Sequence, residues 1–303
     1  MKIRPPRLHE GDTVGLVALS GPVGRESLPE KIAFLESLGL SIKIGGTVGL
    51  TGKYLAGTDE ERLNDLHTMI QDPEVKAIFN VRGGYGAARI VDRIDYQSLT
   101  ENPKIFWGFS DATALHTAFQ EYAEIVTFHG PMLSPIGAKD FSDLSKKMFQ
   151  QLFTPFEIQV DESLSSLRTI VSGSAQGELT GGNLRRLVES LGTKFEFDTR
   201  NKIILLEDTG ETVENIDNML NQLRLSRKLE TAQGFAIGSF TDISDGTLED
   251  VYSLFEEYLK PIGKPAVAGF MIGHCEPNIA IPLGVEAILD ADEKLLRMLP
   301  GVE

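Results

Sequence analysis

The sequence predicts an α/β fold, with an N-terminal, mostly parallel sheet flanked by helices and a second, smaller α/β domain with short strands. Up to Phe128, runs that are almost entirely apolar alternate with stretches of helical spacing. Such apolar runs are typical of parallel strands that are covered by helices on both faces. Beyond 141 this rhythm changes, and 156–174 is polar and serine-rich with little periodicity. We therefore place the domains at residues 1–160 and 161–303.

The elements of the first domain follow from apolar runs that end at turn residues. Strands are predicted at 13–19, 41–44, 77–81, 105–109 and 125–128, and helices at 28–38, 59–70, 87–94 and 112–122. Functional groups of a parallel sheet gather in the loops at the carboxyl ends of its strands. We therefore expect the loops to lie along one edge at 20–22, 82–86, 110–111 and 129–131.

The later part of the chain shows the same two patterns in shorter pieces. Helices are predicted at 146–153, 184–191, 215–225 and 248–259. Strands are predicted at 202–206, 234–240 and 266–270, with a short strand inside 174–183 and paired short strands inside 279–299.

Composition excludes several classes of partner. The net charge of -15 argues against nucleic acid or an anionic membrane, since both attract cationic surfaces. No apolar run approaches the roughly 18 residues of a membrane-spanning helix. The single cysteine, Cys275, permits no intrachain disulfide and fits a reducing compartment. We expect a cytoplasmic protein.

Ser110 is the candidate nucleophile. It lies where the apolar run 105–109 turns into a helix, and Gly108 and Ala112 on either side allow a tight turn. This arrangement is similar to the strand–turn–helix elbow that exposes a serine hydroxyl in hydrolases. A serine before a helix is also an ordinary N-cap, so both interpretations remain open at this point.

A serine nucleophile needs a base and a carboxylate that orients the base. His274 ends an apolar strand and leads into an irregular segment, and His129 ends another strand and would line the site. Glu207 follows the apolar residues 203–206. The order Ser110, Glu207, His274 occurs in hydrolases. A structural histidine and a solvated acid are the competing interpretations of His274 and Glu207.

The glycine-rich loop 82–86 offers backbone amides that would hold a phosphate or an oxyanion. It lacks the Lys-Ser/Thr of a P-loop, and no dinucleotide-binding fingerprint follows the first strand. His274 and Glu276 have no second histidine at ligand spacing. We therefore predict neither a metal nor a cofactor.

Taken together, six segments resemble the LD-carboxypeptidase family of serine peptidases, which includes muramoyltetrapeptide carboxypeptidases and microcin C self-immunity peptidases. The segments follow the family's order and lie at 81–86, 108–116, 129–132, 181–184, 205–208 and 273–274, the last together with 282–284. The resemblance implies an N-terminal domain that bears the nucleophile and a C-terminal domain that bears the acid and the base.

The resemblance also implies the roles of individual residues. It gives Ser110 as nucleophile, Glu207 as acid and His274 as base, with the amides of Gly84 and Asp111 as the oxyanion site. Substrate contacts are predicted at four further positions, of which Arg82 would meet the substrate carboxylate: Arg82, Gly83, His129 and Asn183. The chain departs from the family at Asn218, where relatives often carry arginine, which puts any role of that arginine in doubt here.

The implied reaction is hydrolysis of the amide between an L-centre and a terminal D-amino acid, with release of D-alanine from a murein tetrapeptide. One alternative is an amidase that cleaves a peptide-nucleotide antibiotic of the microcin C type. Another is a non-catalytic protein that binds an anion at the glycine loop. The expected partner is a small peptide, and a homodimer is implied by the family alone.

Overall fold

Six strands form the first sheet of the computed structural model, which describes residues 2–134, 136 and 141–303. The spatial order is β12, β5, β4, β3, β1, β2, and all pairs are parallel except the pair of β12 with β5. The strands are β1 Thr13–Val17, β2 Ser41–Ile44, β3 Val75–Asn80, β4 Ile105–Gly108, β5 Thr127–His129 and β12 Ile281–Leu283.

Eight strands form the second sheet, in the order β6, β14, β13, β8, β9, β10, β11, β7. The pairs from β8 to β11 are parallel, and the flanking pairs are antiparallel. The strands are β6 Ile158–Val160, β7 Arg168–Val171, β8 Ser174–Asn183, β9 Lys202–Thr209, β10 Gly234–Thr241, β11 Ala266–Ala268, β13 Glu286–Asp290 and β14 Leu295–Met298.

Helices lie between these strands, and local capping defines the ends of the longer ones. Thr58 before α2 and Thr247 before α9 each form a capping box with the acid three residues later. The helices are α1 Pro29–Ser37, α2 Asp59–Gln71, α3 Tyr96–Glu101, α4 Thr113–Ala118, α5 Asp143–Lys147, α6 Leu184–Ser190, α7 Val213–Leu225, α8 Lys228–Thr231 and α9 Leu248–Leu259. Among the described residues, none of the helices combines the length and apolarity that crossing a bilayer demands.

The predicted α/β class is confirmed, and the differences are local. The predicted helix at 87–94 is two 3-10 turns, Ala87–Arg89 and Val91–Arg93, and α3 begins only after Asp95, whose side chain accepts a hydrogen bond from the Ser98 amide. The segment predicted to be irregular at 156–174 contains β6 and β7. Both are short strands at the outer edges of the second sheet, where polar residues face solvent and hide the apolar alternation.

The two sheets share one buried apolar cluster. It contains Val14 and Trp107 from the first sheet, Leu205 and Leu289 from the second, and Ile281 of β12. The division at 160 stays a prediction, since β6 already belongs to the second sheet and β12 returns to the first. β4, which precedes Ser110, and β9, which contains Glu207, are therefore packed against a common interior.

Arg62 on α2 joins the loops on the nucleophile side of the molecule. Its side chain is fully buried, and its Nη1 donates hydrogen bonds to the carbonyl oxygens of Leu19 at 2.5 Å and Gly86 at 2.8 Å. Its Nη2 donates to Asp59, which also binds the exposed Arg89. One guanidinium thus holds the end of β1 and the glycine loop together.

We predict that Arg62→Met lowers the free energy of unfolding by about 3 kcal/mol, because two carbonyl oxygens lose their buried donor and Asp59 keeps only Arg89 as a partner. Urea denaturation would measure the loss. Arg89→Met is the matched control, since it removes an exposed arginine from the same Asp59 and should cost less than about 1 kcal/mol. Equal losses in the two variants would contradict the role given to Arg62.

Candidate active site

Ser110, His274 and Glu207 form a continuous hydrogen-bonded chain. The Ser110 hydroxyl lies 3.1 Å from His274 Nε2, and His274 Nδ1 lies 2.7 Å from Glu207 Oε2. With the proton on Nδ1, the imidazole donates to Glu207 and accepts from the Ser110 hydroxyl. This is the geometry that a nucleophile, its base and an orienting acid require.

Ser110 follows β4 in a strained backbone conformation. Its φ of 63° lies in the left-handed region that non-glycine residues seldom adopt. The turn is tight, since a Cβ on Gly108 would lie 3.3 Å from Cβ of Ala112. Strain of this kind persists where surrounding structure imposes it, and it directs the hydroxyl away from the strand.

Glu207 lies in the second sheet near the end of β9, with no solvent exposure. Two glycines leave room for it. A Cβ on Gly273 would lie 2.4 Å from Glu207 Oε2, and a Cβ on Gly238 would lie 3.1 Å from Cβ of Glu207. Gly273 also has a φ of 111°, so glycine is needed there for both space and conformation. This contact lets His274 reach the carboxylate.

The acid and the base shift each other's pKa. Burial acts to raise the pKa of Glu207, but the charge of His274 and the neighbouring His129 outweigh burial and lower this pKa to about 2. Burial acts to lower the pKa of His274, but the charge of Glu207 and its hydrogen bond raise it above the usual value. Glu207 is therefore ionised at neutral pH, which favours the protonated state of His274.

Several contacts hold the His274 imidazole in place. The backbone carbonyl oxygen of His274 accepts a hydrogen bond from Thr241 Oγ1 at 3.0 Å, and the backbone amide of Gly273 donates to Asn278 Oδ1 at 3.2 Å. The ring of Phe109 packs against the imidazole with 4.8 Å between ring centroids. Phe109 directly precedes Ser110, so the residues of this turn also support the His274 ring.

The glycine loop lies beside the nucleophile. A Cβ on Gly83 would lie 3.1 Å from Ser110 Oγ, so no larger residue fits there without movement. The amides of Gly84 and Asp111 donate to no other described residue. The carboxylate of Asp111 accepts a hydrogen bond from the backbone amide of Ala87 at 2.8 Å, which links the turn at Ser110 to the end of the glycine loop. The predicted oxyanion role of the Gly84 and Asp111 amides remains a prediction.

The other predicted contact residues lie in different surroundings. Arg82 is exposed and donates through Nη1 to the carbonyl oxygen of Pro22 at 2.7 Å. Asn183 is almost fully buried, caps α6 and donates to Asp208 Oδ1 at 2.8 Å. His129 has no solvent exposure. The structure does not bring the side chains of Asn183 and His129 to the surface of the site, and their contact with substrate stays a prediction.

The sequence interpretation missed two residues that shape this site. Both residues lie in segments that resemble the family, 273–274 and 108–116, but the sequence predicts no role for Gly273 or Phe109 themselves. A glycine or a phenylalanine beside a candidate catalytic residue carries no sequence signal that distinguishes a packing role from support of a base.

Within the described part of the chain, no three His, Cys, Asp or Glu side chains are grouped to hold a metal ion.

Ser110→Gly should be more stable than Ser110→Ala. Both variants lose the hydroxyl and its hydrogen bond, but only alanine keeps the cost of the positive φ. We expect a free energy of unfolding about 0.5–1 kcal/mol higher for the glycine variant, after the greater entropy of its unfolded chain is counted. Urea denaturation of the pair measures this difference, and a less stable glycine variant would argue against strain at Ser110.

Comparisons with known proteins agree with this arrangement. The chain matches the LD-carboxypeptidase N-terminal domain over residues 14–130 and the LD-carboxypeptidase C-terminal domain over residues 176–289. It is 44% identical to a probable murein peptide carboxypeptidase of Bacillus subtilis (strain 168) over 306 residues, which cover 100% of this chain and 96% of that protein.

Solved structures show the same fold over nearly the whole chain. An MccF-like protein from Bacillus anthracis superposes with a TM-score of 0.92 at 25% identity, over 98% of this chain and 99% of that one; MccF is a microcin C7 self-immunity protein. A muramoyltetrapeptide carboxypeptidase from Oxalobacter formigenes superposes with a TM-score of 0.85 at 26% identity, over 94% and 97%. The resemblance inferred from the six segments is confirmed, and the chain belongs to the LD-carboxypeptidase family.

Proposed function

We propose that this chain is a serine carboxypeptidase that hydrolyses an L,D amide and releases the terminal D-alanine of a murein tetrapeptide. The observation that carries the proposal is the hydrogen bond between Ser110 and His274, which are 164 positions apart and come from opposite parts of the fold. Membership of the LD-carboxypeptidase family and the murein peptide names of its relatives support the substrate class.

Acylation begins with Ser110. His274 Nε2 accepts the hydroxyl proton as Oγ attacks the carbonyl carbon of the scissile amide and forms a C–O bond. The electron pair of the carbonyl moves to its oxygen, where the amides of Gly84 and Asp111 would donate hydrogen bonds worth about 3 kcal/mol each. The tetrahedral intermediate collapses, the C–N bond breaks, and His274 gives its proton to the departing amine of D-alanine.

Deacylation repeats these proton transfers with water. His274 takes a proton from a water molecule as the water oxygen attacks the ester carbonyl carbon. The C–O bond to Ser110 breaks, and Oγ receives the proton back from His274. Glu207 stays ionised throughout, holds the Nδ1–H tautomer and stabilises the imidazolium. The products are D-alanine and a tripeptide with a new carboxylate.

Arg82 is the proposed cation for the free carboxylate of the substrate. It precedes Gly83, whose Cα lies beside the nucleophile, and its guanidinium is accessible to solvent. Its present bond to the Pro22 carbonyl uses Nη1. Guanidinium groups bind carboxylates through two parallel N–H donors, so Nη2 and Nε would be the donors that face the substrate.

A peptide-nucleotide antibiotic of the microcin C type is the second candidate substrate. The likeness to the MccF-like protein of Bacillus anthracis supports it. Both substrates would use the same nucleophile, base and acid, so a direct comparison of kcat/KM on the two compounds decides between them.

We also propose a cytoplasmic location, which rests on the single Cys275, and a homodimer, which rests on the family resemblance.

Ser110→Ala should abolish release of D-alanine and leave the fold intact. Loss of the nucleophile is expected to reduce kcat by at least about 10⁴-fold. The assay measures D-alanine released from a tetrapeptide that ends in an L,D amide, with the stereoisomer ending in L-alanine as substrate control. Circular dichroism checks the fold of the variant. Turnover by folded Ser110→Ala at the wild-type rate would refute the serine mechanism.

The pH dependence of kcat/KM should show an acidic limb with a midpoint above the usual histidine value of about 6.5. The base must be neutral to accept the Ser110 proton, and the charge of Glu207 raises the pKa of His274, so activity is lost as pH falls through that raised pKa. In Glu207→Gln the raising charge is gone and burial remains, so the pKa of His274 should move to lower pH. An NMR titration of the His274 ring measures this shift in both proteins, and an unchanged pKa in the variant would contradict the coupling.

A further inference from the structure

His129 lies on the far side of the Glu207 carboxylate from His274. Its Nε2 is 3.8 Å from Glu207 Oε1, beyond the length of a hydrogen bond, and neither side chain has any exposed surface. Neither nitrogen of His129 has a hydrogen-bond partner among the described residues, and neither does Oε1 of Glu207. Two buried polar groups thus face each other, each without another partner.

We propose that His129 is a positioning residue for the acid of the catalytic chain: its Nε2–H donates to Glu207 Oε1 and holds Oε2 against His274 while the proton moves between Ser110 and His274. The inference rests on the proposed function and concerns how the same site is kept in order. No bond to substrate and no proton transfer through His129 are involved.

The cost of unpaired buried groups favours this contact. A buried donor or acceptor without a partner is destabilising, and more so when it is charged. Closing the gap between Nε2 and Oε1 by less than about 1 Å would satisfy both atoms at once. Catalytic hydrogen bonds are often long in the free enzyme and shorten when substrate binds. Shortening of the 3.8 Å gap during the reaction would complete this hydrogen bond.

The backbone holds His129 firmly enough for this role. As the last residue of β5, it pairs with Gly108 of β4 on one side and with Ile281 of β12 on the other. The ring of Phe109 packs against its imidazole with 5.7 Å between centroids. Because Gly108 and Phe109 lead directly into Ser110, His129 connects the nucleophile's strand with the acid.

Without a donor at Oε1, the Glu207 carboxylate would be free to rotate about its Cγ–Cδ bond. The Oε2 atom would then spend less time aligned with His274 Nδ1, and the imidazole would lose the tautomer and orientation that proton transfer requires. We expect this loss to affect the chemical step and to leave KM unchanged, because the fully buried His129 would act through Glu207 and not through a contact of its own with substrate.

The test compares His129→Met with His129→Gln. Methionine fills a similar volume without a donor, whereas the amide nitrogen of glutamine takes nearly the place of histidine Nε2. We expect His129→Met to lose about tenfold or more in kcat with KM unchanged, as for removal of a hydrogen bond to a charged group. His129→Gln should recover most of that loss. Melting temperatures of both variants monitor the fold.

A second measurement makes the result independent of the substrate. The rate at which a fluorophosphonate labels Ser110 reports the activation of the nucleophile, and it should fall in His129→Met and recover in His129→Gln. If the fluorophosphonate labels the wild-type protein readily but the protein releases no D-alanine, the proposed substrate is refuted. The labelling rates of the variants still test the role of His129. Equal kcat, or equal labelling rates, in the two variants would refute the positioning role, whatever the melting temperatures show.

Discussion

The burial of the Glu207 charge is the constraint on which the site depends. An ionised carboxylate without solvent contact is stable in a protein only when it is paired and hydrogen-bonded. Here the partner is His274, at 2.7 Å, and Gly273 provides the space for it. The stabilisation of the acid and the orientation of the base are therefore the same interaction. Removal of either partner would leave a buried group in an unfavourable state.

Ser110 differs from the Glu207–His274 pair, because its backbone is strained and the surrounding structure must hold it in place. The left-handed conformation of Ser110 is imposed by contacts around it. Gly83 lies so close to Ser110 that a side chain there would crowd the hydroxyl, the Asp111 carboxylate accepts a hydrogen bond from the Ala87 amide, and Arg62 donates to the Gly86 carbonyl oxygen of the glycine loop. The site thus combines a stabilising pair, formed by Glu207 of β9 and His274 after β11, with a strained turn after β4 of the first sheet.

The sequence predicted most elements of the fold because apolar runs and turn residues are local signals. It also predicted Ser110 and Glu207 at strand ends, and the resemblance of ordered segments implied their roles. The prediction that His274 ends a strand was wrong, because β11 stops at Ala268 and His274 lies in the irregular segment that follows. The strands inside 156–174 were missed because short edge strands are polar on one face. The surroundings of His129 could not be predicted either. A histidine at a strand end is compatible with an open site or with full burial, and only the packing of β12 beside β5 decides between them.

The pairing of β12 with β5 has a consequence for the timing of folding. His274 and β12 are synthesised long after β4 and the Ser110 elbow, yet β12 completes the edge of the sheet that carries the elbow. A chain that is still being synthesised therefore contains Ser110 without His274, and the edge of its first sheet at β5 is not yet covered by β12. The base and the strand that closes this edge are both synthesised late. The chain therefore cannot hydrolyse substrate until nearly all of it has been made and has folded.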